Sequence, residues 1–272
     1  ANTIIQVIND YLHTSKKRTT KVFSEGNGVG VVALGDLHIG ANVQQILLTP
    51  DYNINILLDY LKQCTAIING HKLKEVNVFI LGDIIESFTG LNHKNTWQEL
   101  SLYGIEAIKA AYKLLTEFFL QHIVNLNNVY IIGGNHDRTS EKMDLDMKGG
   151  AAGLLAFMLC ESGYKCEYSP LLIEQTIDGI HYIATHGNYT ISKQDTGQTL
   201  FKYGKQDKYN ILLQAHKHTR EGTRALRYAA GAKEYKTIHV DEINYRKLTI
   251  PPMITGNFYS QSLGLNSTAG FL

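Results

Sequence analysis

The chain has 272 residues and a mass of 30.4 kDa, with 44% hydrophobic and 19% charged residues and a formal net charge of +1. That apolar share supports a sizeable core and excludes a disordered chain, while 24 Gly against 4 Pro exclude collagen-like or proline-rich architecture. No apolar run approaches the roughly 18–20 residues of a membrane span, and a pI of about 7.9 is no global basic footprint for nucleic acid.

The N-terminal residues, ANTIIQVINDYLHTSKKRTTK, put polar groups where a secretion signal needs an unbroken apolar stretch. Ile4, Ile5, Ile8 and Leu12 recur at helical spacing, so residues 1–26 read as a helical extension and 27–272 as one domain. Cys64, Cys160 and Cys166 are odd in number and lack C-x-x-C spacing, which argues against a disulfide framework or a thiolate zinc site. A soluble, cytoplasmic protein is expected.

From Val29 a short apolar run, VGVVAL, reads as a buried strand ending in GDLHIG. A helix is expected where Ile54, Leu57, Leu58, Leu61, Thr65 and Ile68 recur, with Gly70 placed to end it. The strand VNVFIL then leads into GDIIES. A longer helix carries Ile108, Ala111, Tyr112, Leu115, Phe119, His122 and Leu126 on one face, and the strand NVYII leads into GGNHDR. Such a β-α-β-α-β order predicts a sheet covered by helices. Gly153 to Leu159 reads as a buried helix segment. LLIEQTI and IHYIATHG flank Asp178-Gly179, a strong two-residue hairpin signal. Ser192–Gln206 suits a loop with a short helix, YNILLQAHKH is another strand end, and later strands are expected around Lys236–Val240 and Lys247–Thr255. The tail after Thr255 is expected to wrap irregularly over the domain.

Every strong aliphatic strand ends in Asp, Asn or His: Asp36 and His38, Asp83, Asn135 with His136 and Asp137, His186, and His216 with His218. In α/β sheets ligands bind beyond the carboxyl ends of the strands, so these segments are expected to converge. Carboxylate, amide and imidazole donors together suit Mn, Fe or Zn rather than calcium or a structural thiolate zinc. Seven candidate ligands, one a carboxylate able to bridge, fit two ions rather than one.

These five motifs, GDLHIG, GDIIES, GGNHDR, THG and AHKH, run in order from Gly35 to His218 and resemble the calcineurin-like metallophosphoesterase superfamily. The resemblance implies an α/β fold with a β-sandwich of two mixed sheets flanked by helices. It implies a first divalent ion on Asp36, His38, Asp83 and His218, with Asp83 bridging to a second on Asn135, His186 and His216. Manganese is the expected ion, with iron or zinc as alternatives. His136 would be the catalytic histidine, Asp137 would orient it, and a metal-activated hydroxide would attack phosphorus. Where the family usually has glycine, this chain has Ala215, a change the ligands are expected to survive.

Arg138 follows the third motif directly, and Arg220, Arg224 and Arg227 follow the last, so all four are candidate contacts to substrate phosphates. A solvated surface loop is an equal reading of the last three. His93 is a candidate pocket residue, His122 a satisfied core histidine, and Trp97 and Tyr103 are expected to pack. The second motif lacks the arginine of serine/threonine phosphatases, and His136 stands where lipid A precursor hydrolases carry arginine. The motif pattern most resembles Mre11/SbcD-type nucleases and small phage-encoded proteins like them, although little chain follows His218 for their DNA-capping and partner-binding regions. The expected activity is hydrolysis of nucleic-acid phosphodiesters, in a host cytoplasm if the chain is phage-encoded. The alternatives are a small-nucleotide phosphodiesterase or phosphomonoesterase, or a metal-binding structural or interaction protein. No membrane partner is expected, and no protein partner is indicated.

Overall fold

Alternation with a period of two along the aliphatic runs decides how the layers stack. The computed structural model describes residues 26–47, 49–91, 96–140, 146, 149–188, 196–216, 233–234, 239–240, 243–258, 260 and 269–272. The expected N-terminal helix, His93, His218, Arg220, Arg224 and Arg227 lie outside those residues. Strands β1 (Val29–Leu34), β2 (Glu75–Ile80), β3 (Leu126–Ile132) and β4 (Cys166–Ser169) form a sheet in the order 1-2-3-4, parallel throughout. One set of side chains, including Val32, Leu34, Val78, Ile80, Val129 and Ile131, packs on helices α1 (Ile54–Gly70), α2 (Gly104–Lys113) and α3 (Gly150–Glu161). The alternate set, Ala33, Phe79, Leu81, Tyr130 and Ile132, faces the other way.

That second face meets a mixed sheet. Strands β5 (Leu172–Ile177), β6 (Ile180–Thr185), β7 (Tyr209–Gln214) and β10 (Ile243–Thr249) lie side by side, with the short β8 (Lys233–Glu234) and β9 (His239–Val240) both antiparallel to β10. Ile173, Tyr182, Ala184, Leu213 and Leu248 join the alternate set in one cluster, which is the inside of a sandwich. Ile183, Leu212 and Tyr245 point outward and pack with Leu200 of helix α4 (Thr196–Tyr203). The layers therefore run helix, sheet, sheet, helix. This is the α/β architecture, two sheets flanked by helices, that the motifs implied.

Local signals fix several boundaries. The Asn53 side chain accepts from the amides of Asn55 and Ile56 at 2.9 and 3.2 Å and starts α1. Asp178 and Gly179 take φ of +48° and +83°, the left-handed pair a tight hairpin turn requires, and Ile177 faces Ile180 across it. Two boundaries differ from the periodicity. The helix expected to run on past Tyr112 changes at Leu114–Phe119 into a π-helix and then a 3-10 turn, and Leu126 begins β3. Leu114, Leu115, Phe119 and Leu120 are all buried along this stretch. His122 ends that turn half-buried, its Nε2 at 2.9 Å from the Glu117 carbonyl, and is not a core histidine. The last strand stops at Thr249, ahead of Pro251-Pro252, because proline lacks the N–H a ladder needs.

Beyond β10 the chain returns to the first sheet. Met253 and Ile254 donate to the carbonyls of Gly35 and Asp36, and Leu272 exchanges two hydrogen bonds with Ala33 at 2.8 and 2.9 Å along the edge of β1. Among the described residues, no helix is long and apolar enough to cross a membrane.

Phe79 lies wholly inside the sandwich, stacked on Tyr130 with ring centroids 4.5 Å apart. Phe79→Ala is expected to cost about 3–5 kcal/mol in urea denaturation. A loss below about 1 kcal/mol would contradict the sandwich packing.

Candidate metal centre

The C-terminal ends of β1, β2, β3, β6 and β7 meet at one edge of the sandwich. Asp36 and His38 follow β1, Asp83 and Glu86 follow β2, Asn135 to Asp137 follow β3, and His186 and His216 follow β6 and β7. Asp36, His38, Asp83 and His216 all have positive φ, between 43° and 67°, a backbone region that costs energy for residues with a Cβ. Cross-links hold them there. Asp36 and His38 donate from their amides to the carbonyls of Gly82 and Asp83, and the amides of His216 and His136 donate to the carboxylates of Asp36 and Asp83 at 3.0 and 2.8 Å. The loops touch so closely that a Cβ at Gly134 would stand 2.2 Å from Asp83 N and Oδ1, a distance only glycine avoids.

Two groups of donor atoms result: His38, Asp83 and His136 in one, and Asp83, His186 and His216 in the other, the atoms within each lying inside 4.8 Å. Asp83 belongs to both. Its Oδ2 is 3.1 Å from His186 Nε2 and 3.9 Å from His38 Nε2. Asn135 Oδ1 sits 3.2 Å from His186 Nε2, beside the second group. The rings pair edge to face, His38 with His136 at 4.6 Å and His186 with His216 at 4.9 Å. The far nitrogens of two rings are engaged: His38 Nδ1 meets Glu86 Oε2 at 2.5 Å, and His186 Nδ1 donates to the Leu81 carbonyl at 2.5 Å. This fixes each ring with Nε2 toward Asp83, the arrangement a metal-binding histidine needs. Imidazole nitrogens with a shared carboxylate fit borderline divalent ions such as Mn, Fe or Zn.

The electrostatics are those of a cation site. Burial alone would raise the Asp83 carboxyl, but His186, His136 and His38 outweigh it and hold Asp83 well below the usual carboxylate range. For His38, burial opposes the charged ring; the Glu86 carboxylate overcomes this, with Asp83 and Asp36 adding, and lifts it to about 9. His186 rises to about 9 against the same burial, mainly through Asp83. Asp137 is pushed up to about 6 by burial and by the charge on Asp83.

Two roles differ from the motif-based expectation. Asp137 does not hold the His136 ring. Its carboxylate accepts from the amides of Gly134, Ile84 and Ile85 at 2.8, 2.9 and 3.2 Å and pins the β2 and β3 loops together. The ring of His136 is held by Glu86: Nδ1 donates to the Glu86 carbonyl at 2.7 Å and lies 3.5 Å from Oε1. Glu86 thus grips His38 and His136 at once. It stands in the motif GDIIES, three residues after Asp83, and that position was its only sequence signal. Arg138 is 2% exposed and donates from Nη1 to the Asn135 carbonyl, so it props a candidate ligand instead of reaching out to substrate. Trp97 and Tyr103 are exposed, not packed. Ala215 is accommodated by Gly35, where a second Cβ would come within 2.9 Å of the Ala215 methyl.

Candidate metal ligands gathered at the strand ends of an α/β sandwich define a class of protein, and the family match agrees with it. The chain belongs to the calcineurin-like phosphoesterase family, whose profile matches residues 30–246. No curated protein matches the chain. Similar solved structures include wild-type Vps29 complexed with Zn2+ from Entamoeba histolytica, at 15% identity over 89% of this chain and 82% of that one, TM-score 0.35. Purple acid phosphatase PPD1 from yellow lupin (Lupinus luteus) seeds gives 12%, 81%, 43% and 0.41, and the phosphoesterase Yfce from E. coli gives 14%, 80%, 77% and 0.32.

The two raised histidines set a pH dependence. In metal-free protein each ring loses its proton near pH 9 when folded but near 6.5 when unfolded, so the stability they add is complete below 6.5 and lost as pH rises through 9. The melting temperature of metal-free protein is expected to fall across that window, and metal loading to flatten the fall, since the ion replaces the protons. A melting temperature rising with pH in metal-free protein would contradict the assignment. Glu86→Gln is expected to weaken metal binding by roughly 10- to 100-fold in a direct titration; unchanged affinity would remove Glu86 from its positioning role.

Proposed function

We propose that the chain is a dinuclear-metal phosphodiesterase acting on nucleic acid. The observation that carries this reading is Asp83, one carboxylate shared by two groups of ligand atoms. By this reading Asp36, His38, Asp83 and His218 would hold the first ion, Asp83, Asn135, His186 and His216 the second, and His136 is kept for catalysis; the native ions are manganese. Bound there, two such ions supply Lewis-acid charge to the phosphate oxygens and a water acidic enough to react near neutral pH.

The chain's own residues do the rest. The Glu86 carbonyl accepts a hydrogen bond from Nδ1 of His136, which turns Nε2 toward the site as the atom that exchanges a proton with the departing oxygen. Asp36, His38, Asp83 and His186 are buried, whereas His216 is half-buried and His136 sits at the edge of burial, so substrate approaches from the His136–His216 side. The motif pattern, with no arginine in the second motif GDIIES and with GNHD intact, supports a diester of the kind cut by Mre11/SbcD-type nucleases, with phage DNA metabolism as the setting. Arg220, Arg224 and Arg227 are proposed contacts to flanking phosphates.

Manganese-dependent hydrolysis of bis-p-nitrophenyl phosphate is expected to exceed that of the monoester. Asp83→Ala is expected to lose more than the roughly 100-fold typical of removing a ligand's supporting hydrogen bond. Preference for the monoester would favour a small-molecule phosphatase instead. Silence on both esters with two ions bound would favour a structural or interaction protein.

A further inference from the structure

Three large aromatic side chains are exposed on segments tied to the metal-centre loops: Trp97 at 56%, Tyr103 at 60% and Phe258 at 58%. Trp97 lies on the 3-10 turn Thr96–Glu99, and the Glu99 carbonyl accepts from the Asn42 amide at 2.6 Å, on the loop that leaves His38. Tyr103 borders the loop after Glu86: the next amide, Gly104, donates to the Ser87 carbonyl, and the Tyr103 ring is 3.6 Å from where a Cβ of Gly90 would stand. Phe258 follows the Ile254–Asp36 hydrogen bond and donates its own amide to Glu99 Oε1 at 3.0 Å. Burial raises the Glu99 carboxyl above its ordinary value, against the hydrogen bond from the Phe258 amide.

A net charge of +1 gives the chain little global attraction for a polyanion, so affinity for nucleic acid depends on local sources. Exposed aromatic rings on segments tied to the metal-centre loops supply one, because every base has a flat π face on which an aromatic ring stacks. Bases inside a duplex are already stacked and out of reach, so the arrangement selects unpaired ones. We propose that Trp97, Tyr103 and Phe258 form a stacking rim for an unpaired base next to the scissile phosphate, making single-stranded nucleic acid the substrate. The inference rests on the phosphodiesterase reading above.

Trp97 is the sole tryptophan of the chain, so its fluorescence reports on the rim directly. The manganese-loaded full chain is mixed by stopped flow with a single-stranded deoxyadenosine decamer or with an abasic decamer carrying the same phosphates. Quenching by the first and not by the second is the expected result. Equal quenching by both, or none by either, overturns the rim. In steady state, Trp97→Ala is expected to reduce the preference for the base-bearing decamer about 5- to 10-fold, and Trp97→Phe to restore it; an unchanged preference in Trp97→Ala contradicts the proposal. Hydrolysis of both decamers without quenching overturns the rim and leaves the phosphodiesterase reading standing. Selective quenching without hydrolysis supports the rim and contradicts that reading.

Discussion

Four carboxylates, Asp36, Asp83, Glu86 and Asp137, are held at 0–2% exposure at one edge of the sandwich, and the rest of the local structure answers to that charge. A carboxylate removed from water is costly unless hydrogen bonds and cations compensate it. Asp137 is compensated by three backbone amides, Asp36 and Asp83 in part by the amides of His216 and His136, and the remainder falls to imidazoles. Protons on His38 and His186 can meet that demand, and so can divalent ions. The same demand explains why four loop residues accept left-handed backbone, since only there do the amides and rings reach the carboxylates.

Burial grades across the site. His38 and His186 are sealed in, with their Nδ1 atoms committed to Glu86 and to the Leu81 carbonyl, while His136 and His216 stand toward the outside. The sealed side holds geometry; the other side is the more exposed one. Glycine makes the sealing possible at Gly134, which lets two loops cross above Asp83, and at Gly35, which leaves room for the Ala215 methyl. The hydrogen bonds of Leu272 to Ala33 and of Ile254 to Asp36 bring late parts of the chain against β1 and the first ligand loop.

Much of this is legible in the sequence because it is local. Aliphatic runs, glycine-flanked strand ends and the Asp178-Gly179 turn each carry their own signal within a few residues. The contacts that escaped are long-range. Glu86 meets His38 across 48 residues and His136 across 50, so no spacing rule points to it. Asp137 follows His136 directly, and that adjacency suggested a partnership, yet its carboxylate turns to the β2 loop. Arg138 reads as a reaching cation until its burial against Asn135 is seen. The π turn at Leu114–Phe119 escaped because its apolar pattern fits a helix face almost as well.

Asp83 is positioned to join two cation sites. Anomalous diffraction from crystals of manganese-loaded protein tests it most directly. Two peaks roughly 3.5–4 Å apart are expected on either side of the Asp83 carboxylate, one beside His38 and the other beside His186 and His216. A single peak, or a pair that leaves Asp83 uncoordinated, would contradict it.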